Sequence, residues 1–244
     1  LCNLCFSVVK PARSDILKGS KTQFVTWVLY NQSMSEILLN VHVVMFSLRE
    51  EALHVLLTPA EGRTWGLPHA QVQAAESLED AAARAFAGQI DKRQAYLEQL
   101  YTYGDPERDP RWRLVSVVYF ALVPTNAQQA SGKMRWFRVN SLPPLAHDHA
   151  DITAYALRRL RYKLEYSAVG FQLLPSEFTL SELQHTYEII LGETLDKRNF
   201  RRRLLGSGII EETPHQRSGE GRPARLYRYR PDAVAEVKAR RLFP

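Results

Sequence analysis

Cysteine is scarce in this chain of 244 residues, where only Cys2 and Cys5 occur. Two cysteines exclude a disulfide framework, and a single C-x2-C pair supplies only two of the four thiolates that a structural zinc site usually needs. No apolar run approaches the roughly 18 residues of a membrane span. With 12 glycines, 13 prolines and 45% hydrophobic residues, the composition excludes low-complexity and disordered chains. We therefore expect a soluble globular protein of the reducing cytoplasm, with no membrane partner.

Acidic residues are also in the minority, because 26 of them face 32 lysines and arginines, for a formal net charge of +6. An excess of this size suits a polyanionic partner, but it also occurs in many ordinary proteins. Its location is more informative, since residues 196–230 contain ten basic side chains against four acidic ones. Nearly the whole excess therefore lies in one short segment.

The first 33 residues show no clear periodic pattern. We expect residues 1–33 to be an extension or upstream read-through without a function of its own. From residue 34 the pattern changes, and β-rich runs at 37–46 and 53–57 predict a hairpin. Further strands are predicted at residues 96–103, 113–122 and 134–139.

Two helices accompany these strands. Residues 77–90 predict an alanine-rich helix with Ser77 as its N-cap, and residues 148–166 predict a long amphipathic helix. Strands around one internal helix, closed by a second helix, are typical of an α+β fold. We expect an α/β/α sandwich with a mixed sheet over residues 34–166.

The remainder of the chain, residues 172–244, differs in kind. A helix is predicted at residues 179–191, with Thr179 as its cap, Glu182 at the capping-box position and Gly192 after its end. A short arginine-rich helix at 196–205 and strands at 209–210 and 226–229 follow. The order of helix, turn, helix and β-hairpin indicates a winged helix-turn-helix domain.

The basic residues of this domain fall on its second helix and on the loop between its strands. A recognition helix in the major groove pairs guanidinium groups with guanine or phosphates, and a wing lies along the backbone or minor groove. A helix points Arg201, Arg202 and Arg203 to different sides, so not all three can reach bases, and a merely solvated helix face is the alternative. Double-stranded DNA is favoured over RNA, whose A-form major groove is too narrow. The predicted DNA-binding residues are Lys197, Arg198, Arg201, Arg202, Arg203, Arg217, Arg222 and Arg225.

A Trp-Gly-Leu-Pro sequence at residues 65–68 leads into the first helix, with Glu76 and Arg84 further along. This stretch resembles the signature of the Nudix hydrolases, in which a W-x-L-P-G-G loop precedes a helix that ends in R-E-x2-E-E. Carboxylates at positions i, i+3 and i+4 share one helix face, where that family holds Mg²⁺ against a pyrophosphate. The Gly-Gly pair of the signature is His69-Ala70 in this chain.

The three metal-binding glutamates of that signature are replaced by Ala85, Gly88 and Gln89. Alanine and glycine offer no ligand and glutamine only a neutral one, so we expect no metal ion, no cofactor and no hydrolysis. Three acidic residues remain near the start of the helix, where they serve equally well as charges at a helix N-terminus. They are Glu76, Glu79 and Asp80.

Both domains together resemble the NrtR family of Nudix-related transcriptional regulators. The resemblance is carried in the second domain by FTLSELQHTYEIILG (178–192), NFRRR (199–203) and GRPARLY (221–227). In the first domain, GDPERDPR (104–111) resembles the G-x-x-x-RDPRG loop of these regulators, although Trp112 stands where glycine is expected. The family implies a homodimer that grips a roughly palindromic operator and releases it when a nucleotide-like effector such as ADP-ribose binds the Nudix-like domain.

Candidate effector-binding residues lie in the motif and in that loop. Arginine side chains suit the clamping of phosphates, and Trp65 or Trp112 suits stacking on a base. Each candidate has a simpler alternative, such as a core position for Trp65 or an ion pair of Arg108 with Asp105 or Asp109. The predicted effector-binding residues are Trp65, His69, Arg108, Arg111 and Arg113.

The resemblance therefore implies a bacterial DNA-binding repressor of NAD, sugar or nucleotide metabolism, with an inactive Nudix-like domain that senses an ADP-ribose-like or related phosphorylated effector. One alternative is an active Nudix pyrophosphatase that cleaves ADP-ribose or a similar nucleotide diphosphate. The other is a constitutive DNA-binding or scaffold protein whose first domain only dimerises.

Overall fold

A computed structural model describes residues 37–127, 132–218, 223–230 and 232, so the expected extension at residues 1–33 lies outside the described part. The helices are α1 (Leu78–Ala85), α2 (His149–Tyr166), α3 (Leu180–Leu191) and α4 (Lys197–Gly206). The strands are β1 (Leu38–Arg49), β2 (Ala52–Pro59), β3 (Trp65–Gly66), β4 (His69–Gln71), β5 (Tyr96–Tyr103), β6 (Leu114–Val123), β7 (Arg135–Arg138), β8 (Ile210–Arg217) and β9 (Ala224–Tyr229). Short 3-10 helices cover Lys92–Gln94 and Ala168–Leu173.

The first seven strands form one mixed sheet. Its order is β3-β2-β1-β6-β5. In addition, β4 pairs with β1, and β7 pairs with β2. Strand β1 pairs in parallel with β6, and the other pairings are antiparallel. The predicted hairpin of β1 and β2 is confirmed, and its turn residues Glu50 and Glu51 have φ values of 46° and 57°, the left-handed conformation that two-residue hairpin turns use.

Strand β1 is buried on both faces because a helix covers each side of the sheet. Alternate residues such as Val44 and Phe46 face the core under α2, whereas Val43 and Met45 face the core under α1. The predicted α/β/α sandwich with a mixed sheet is thus confirmed.

The winged helix is confirmed as well. Thr179 and Glu182 form a reciprocal capping box at the start of α3, and Gly192 ends that helix with a φ of 79°. Asp196 caps α4, and strands β8 and β9 form the wing. Phe178 exchanges backbone hydrogen bonds with Tyr227 on β9, which fastens the entry to α3 onto the wing.

Two predicted boundaries are wrong. Helix α1 ends at Ala85 rather than at residue 90, because Gly88 adopts a left-handed φ of 77° and the backbone turns there. Strand β8 runs to Arg217 rather than ending at Ile210, since pairing with β9 resumes beyond an irregularity after Glu212. The loop of the wing is correspondingly shorter than predicted.

The two domains share one hydrophobic core. Leu160 and Leu164 of α2 belong to the same buried cluster as Phe178, Leu183 and Tyr187 of the winged helix. The first domain is therefore packed directly against the second, with α2 at the junction. Among the described residues, no helix has the length and apolarity to cross a membrane.

Candidate effector site and nucleic-acid interface

A cavity of about 340 Å³ lies where β1 and β6 begin, between the loop at residues 108–112 and the start of α2. Of the predicted effector residues, His69, Arg108 and Arg111 line this cavity, and Trp112 joins them with 59% of its surface exposed. The loop that resembles G-x-x-x-RDPRG and the histidine that replaces the first glycine of the Nudix signature therefore meet at one site.

Arg108 lies deepest among the arginines of the cavity. Its guanidinium donates to both carboxylate oxygens of Asp148, at 2.7 and 3.0 Å, and to the hydroxyl of Ser116 at 2.6 Å. Burial acts to raise the pKa of Asp148, but the hydrogen bonds and charge of Arg108 outweigh it and leave that pKa below its ordinary value. Arg108 therefore pairs with the residue that precedes α2, and neither Asp105 nor Asp109 is its partner.

The other predicted effector residues differ in their contacts. Arg111 is largely exposed and forms an ion pair with Asp109 at 3.3 Å. Arg113 donates to the carbonyl oxygen of Gly104 at 2.9 Å and does not line the cavity. Trp65 also lies outside the lining, since its ring packs edge-on against Phe137 at a centroid distance of 4.7 Å.

Three histidines that sequence reasoning missed line the same cavity as His69. They are His42, His147 and His149. The ring of His42 stacks on His69 at a centroid distance of 5.4 Å and meets His149 edge-on at 5.1 Å. His42 and His149 lie on a strand and a helix far apart in the chain, so no local spacing signals their contact.

The two inner histidines are buried. Burial lowers the pKa of His42 well below its ordinary value and lowers the pKa of His149 to about 4. The backbone N–H of Leu67 donates to Nδ1 of His149 at 3.1 Å, so a neutral His149 carries its proton on Nε2. Both imidazoles are therefore uncharged at neutral pH in the ligand-free protein.

The Nudix-like motif keeps its structural contacts. Arg84 donates to both carboxylate oxygens of Glu76, at 2.7 and 2.8 Å, and to the carbonyl oxygen of Gln71 at 2.7 Å, which ties the loop to α1. Glu79 accepts a hydrogen bond from the hydroxyl of Tyr119, and Asp80 accepts one from Ser77. The remaining acids thus have partners at the start of the helix.

The metal-binding end of that motif does not fit Mg²⁺. Ala85 is buried and has no donor atom, Gly88 has no side chain, and Gln89 offers one neutral amide. Within the described ranges, no group of three or more histidine, cysteine, aspartate or glutamate residues is placed to hold a metal ion.

Helix α4 presents a basic face to solvent. Phe200 and Leu204 bury one side of the helix, and Arg198 and Arg202, one turn apart, lie exposed on the opposite side. Lys197 and Arg203 flank this face and are also exposed. These four cations form no ion pair among the residues that the structure describes.

Of the remaining predicted DNA-binding arginines, the three that the structure describes have partners. Arg201 turns inward and donates to the hydroxyl of Ser181 on α3 at 3.0 Å. On the wing, Arg217 pairs with Glu182, and Arg225 pairs with Glu212 at 2.9 Å. Arg222 lies outside the described residues.

Comparison with known proteins accounts for both halves of the chain. A NUDIX domain model matches residues 38–160, and the NrtR DNA-binding winged helix domain model matches residues 170–229. The ADPR responsive transcriptional repressor NtrR of Acinetobacter baylyi is 36% identical over 204 residues, which are 79% of this chain and 82% of that protein.

Solved structures agree over most of the fold. Shewanella oneidensis NrtR complexed with a 27mer DNA superposes with a TM-score of 0.73 at 34% identity, over 81% of this chain and 95% of that chain. A MutT/nudix family protein from Enterococcus faecalis superposes with a TM-score of 0.67 at 25% identity, over 87% and 94% of the two chains. The protein therefore belongs to the NrtR family of Nudix-related transcriptional regulators.

Proposed function

We propose that this protein is a transcriptional repressor that binds double-stranded DNA through its winged helix and releases it when ADP-ribose enters the cavity of the Nudix-like domain. The observation that carries the proposal is the exposed basic face of α4, on a domain that the NrtR winged helix model matches. The relative from Acinetobacter baylyi, which is described as ADPR responsive, supports the choice of effector.

The contacts of α4 and the wing suit the phosphate backbone and base edges of a DNA duplex. Arg198 and Arg202 share the face that points away from the core, so they are the side chains best placed to reach base edges in the major groove. Lys197 and Arg203 flank that face at the positions expected for phosphate contacts. Arg201 supports the helix from within, and Arg217 and Arg225 can exchange their carboxylate partners for phosphates.

A family-type homodimer would place two such helices on two half-sites of one operator. The proposed effector contacts are His69, Arg108 and Arg111, with Trp112 available for stacking. Trp65 and Arg113 are not among these contacts, because they lie outside the lining and contact Phe137 and Gly104 instead.

We also propose that the Nudix-like domain does not hydrolyse its ligand, because Ala85, Gly88 and Gln89 replace the carboxylates that would hold Mg²⁺. A sensor without turnover preserves its own signal. Incubation of the full chain with ADP-ribose and Mg²⁺ should yield no AMP. Turnover at ordinary enzymatic rates would instead support the alternative of an active pyrophosphatase.

The DNA-binding half of the proposal is tested with a labelled duplex that carries the region upstream of the protein's own gene. We expect Arg202→Ala to weaken binding at least tenfold, which corresponds to about 1–3 kcal/mol for a base-contacting arginine. Affinity should also fall steeply as salt is raised. Fluorescence anisotropy measures both effects, and addition of ADP-ribose should lower the affinity of the unmodified protein.

Arg93→Ala is the matched control, because Arg93 is an exposed arginine of the other domain and pairs with Asp91. It should leave DNA binding unchanged. Equal affinities of Arg202→Ala and the unmodified protein, or binding that does not depend on salt, would contradict the proposed interface.

A further inference from the structure

The histidines of the effector cavity form a cluster with an unsatisfied group at its centre. His42 is 5% exposed, and its Nδ1 atom has no hydrogen-bond partner among the described residues. A buried polar atom without a partner costs free energy, so such atoms are uncommon in folded proteins. His42 also lines the cavity, so a ligand bound there would lie beside this imidazole and change its electrostatic environment.

The arginines and carboxylates that line the cavity leave no net positive charge for binding an anion. Arg108 and Arg111 line it, but Asp148 and Asp109 already pair with them. Glu61 adds a third carboxylate to the lining. A diphosphate would therefore meet two guanidinium groups and three carboxylates, with no glutamate set to bring Mg²⁺ as a counter-charge.

His42 is the group that can supply the missing positive charge. Burial lowers the pKa of His42 and of His149, and the positive charge of neighbouring histidines and Arg108 lowers both further. Asp148 acts in the opposite direction on both. His149 cannot gain a proton without losing a hydrogen bond, because its unprotonated Nδ1 already accepts from the backbone of Leu67. An anion beside the cluster adds a second opposing charge and favours the protonated form of His42.

We propose that His42, His69 and His149 form the phosphate-binding part of the effector site and that His42 takes up a proton when a diphosphate binds. The proposal rests on the proposed function and adds to it a recognition chemistry and a dependence on pH. His42 and His149 supply the buried donors, and His69, which is exposed at the mouth of the cavity, completes the stack. Uncharged nucleosides and sugars lack the anion that would draw the proton in.

Isothermal titration of the full chain with ADP-ribose tests this directly. The diphosphate of ADP-ribose is a diester and does not titrate near neutral pH, unlike a phosphomonoester, whose second pKa is about 6. Any proton taken up on binding therefore comes to the protein. Titrations at pH 6.5 in PIPES and in imidazole, which differ in ionisation enthalpy, should reveal net proton uptake.

The dissociation constant should fall as the pH is lowered from 8 towards 6, by up to about tenfold per pH unit for each proton taken up. His42→Gln keeps hydrogen-bonding capacity but cannot gain a proton. It should remove the proton uptake and flatten the pH dependence while retaining measurable binding at pH 8. His69→Gln changes an exposed position and should fold normally, and it should weaken ADP-ribose binding as the loss of a phosphate contact does.

His215→Gln is the matched control, because His215 lies on strand β8 outside the cavity and interacts with Glu177. It should bind ADP-ribose with the pH dependence of the unmodified protein. ADP-ribose binding without proton uptake, or an unchanged pH dependence in His42→Gln, would overturn this inference and leave the proposed function standing. No binding at any pH would overturn both.

Discussion

At the start of α2, His149 accepts a hydrogen bond from the backbone of Leu67 and touches His42. The folded protein holds its pKa at about 4, below the value near 6.5 of an unfolded histidine. Between these values the unfolded state binds more protons, so the free energy of unfolding falls as the pH is lowered. We expect the ligand-free protein to lose about 2 kcal/mol between pH 7.5 and pH 5 from His149.

Urea denaturation followed by circular dichroism at several pH values measures this loss. His149→Asn is the informative variant, because its side-chain oxygen can still accept from Leu67 but does not titrate. Its stability should depend less on pH than that of the unmodified protein. An equal pH dependence of the two proteins would show that His149 titrates normally in the folded state.

The sequence predicts which side chains lie at the effector site better than it predicts which residues they contact. The arginines of the loop were placed near the effector site from a motif, and Arg108 and Arg111 do line the cavity. The partner of Arg108 is Asp148, forty residues further along the chain, and the contact of His42 with His149 is equally non-local. Local spacing carries no information on such contacts, because the parallel pairing of β1 with β6 and the placement of α2 create them.

At the scale of elements, Gly170 lies between Leu164 of α2 and Tyr187 of the winged helix, where there is no room for a side chain. A Cβ atom at this position would lie 2.7 Å from a ring carbon of Tyr187 and 2.9 Å from Cδ2 of Leu164. Both neighbours belong to the shared core and cannot move freely. Gly170→Ala should therefore destabilise the protein by about 1–3 kcal/mol, as overpacking of a core does.

Thermal denaturation measures that effect, and Gly206→Ala is the matched control. Gly206 ends α4, and a Cβ atom there would meet nothing within 4 Å. Alanine is the better helix former, so this change should leave the stability unaltered or raise it by up to about 1 kcal/mol. If Gly170→Ala were as stable as the unmodified protein, the junction between the two domains would accommodate a methyl group without strain.

Long elements with clear periodicity were predictable, and short ones were not. Runs of β-rich residues predict β1, β2 and β6, and capping residues predict the start of α3. Strands β3 and β4 have two and three residues, too few for any pattern. The alanine-rich sequence after Ser77 favours a longer helix than α1, because helix propensity alone does not indicate that Gly88 adopts a left-handed conformation.

At the scale of the whole molecule, α2 is the element that connects the effector cavity to the DNA-binding domain. Asp148, which precedes it, is bound to Arg108 in the effector cavity. Thirteen residues later, Nε of Arg161 donates to the carbonyl oxygen of Ile190 near the end of α3 at 2.8 Å. Glu51, at the hairpin turn of the first domain, also contacts His185 of α3. An anion that competes for Arg108 would therefore act on a helix whose other part holds the DNA-binding domain.

This arrangement predicts that Arg161→Ala weakens the coupling between ADP-ribose binding and DNA binding. Arg161 lies outside the effector cavity and outside the basic face of α4, so ADP-ribose and DNA should each bind with nearly unchanged affinity. The effect of one ligand on the other, which amounts to about 1–3 kcal/mol in allosteric proteins generally, should shrink. We expect saturating ADP-ribose to weaken DNA binding several-fold less in this variant than in the unmodified protein.

Fluorescence anisotropy of the operator duplex, with and without saturating ADP-ribose, measures that difference. Arg159→Ala is the matched control, because Arg159 is an exposed arginine of the same helix that lies near Glu98 and, within the described residues, forms no hydrogen bond or ion pair with α3. It should respond to ADP-ribose as the unmodified protein does. A full response in Arg161→Ala would show that the remaining contacts between the two domains, which include the shared core and the Glu51–His185 contact, suffice to carry the signal.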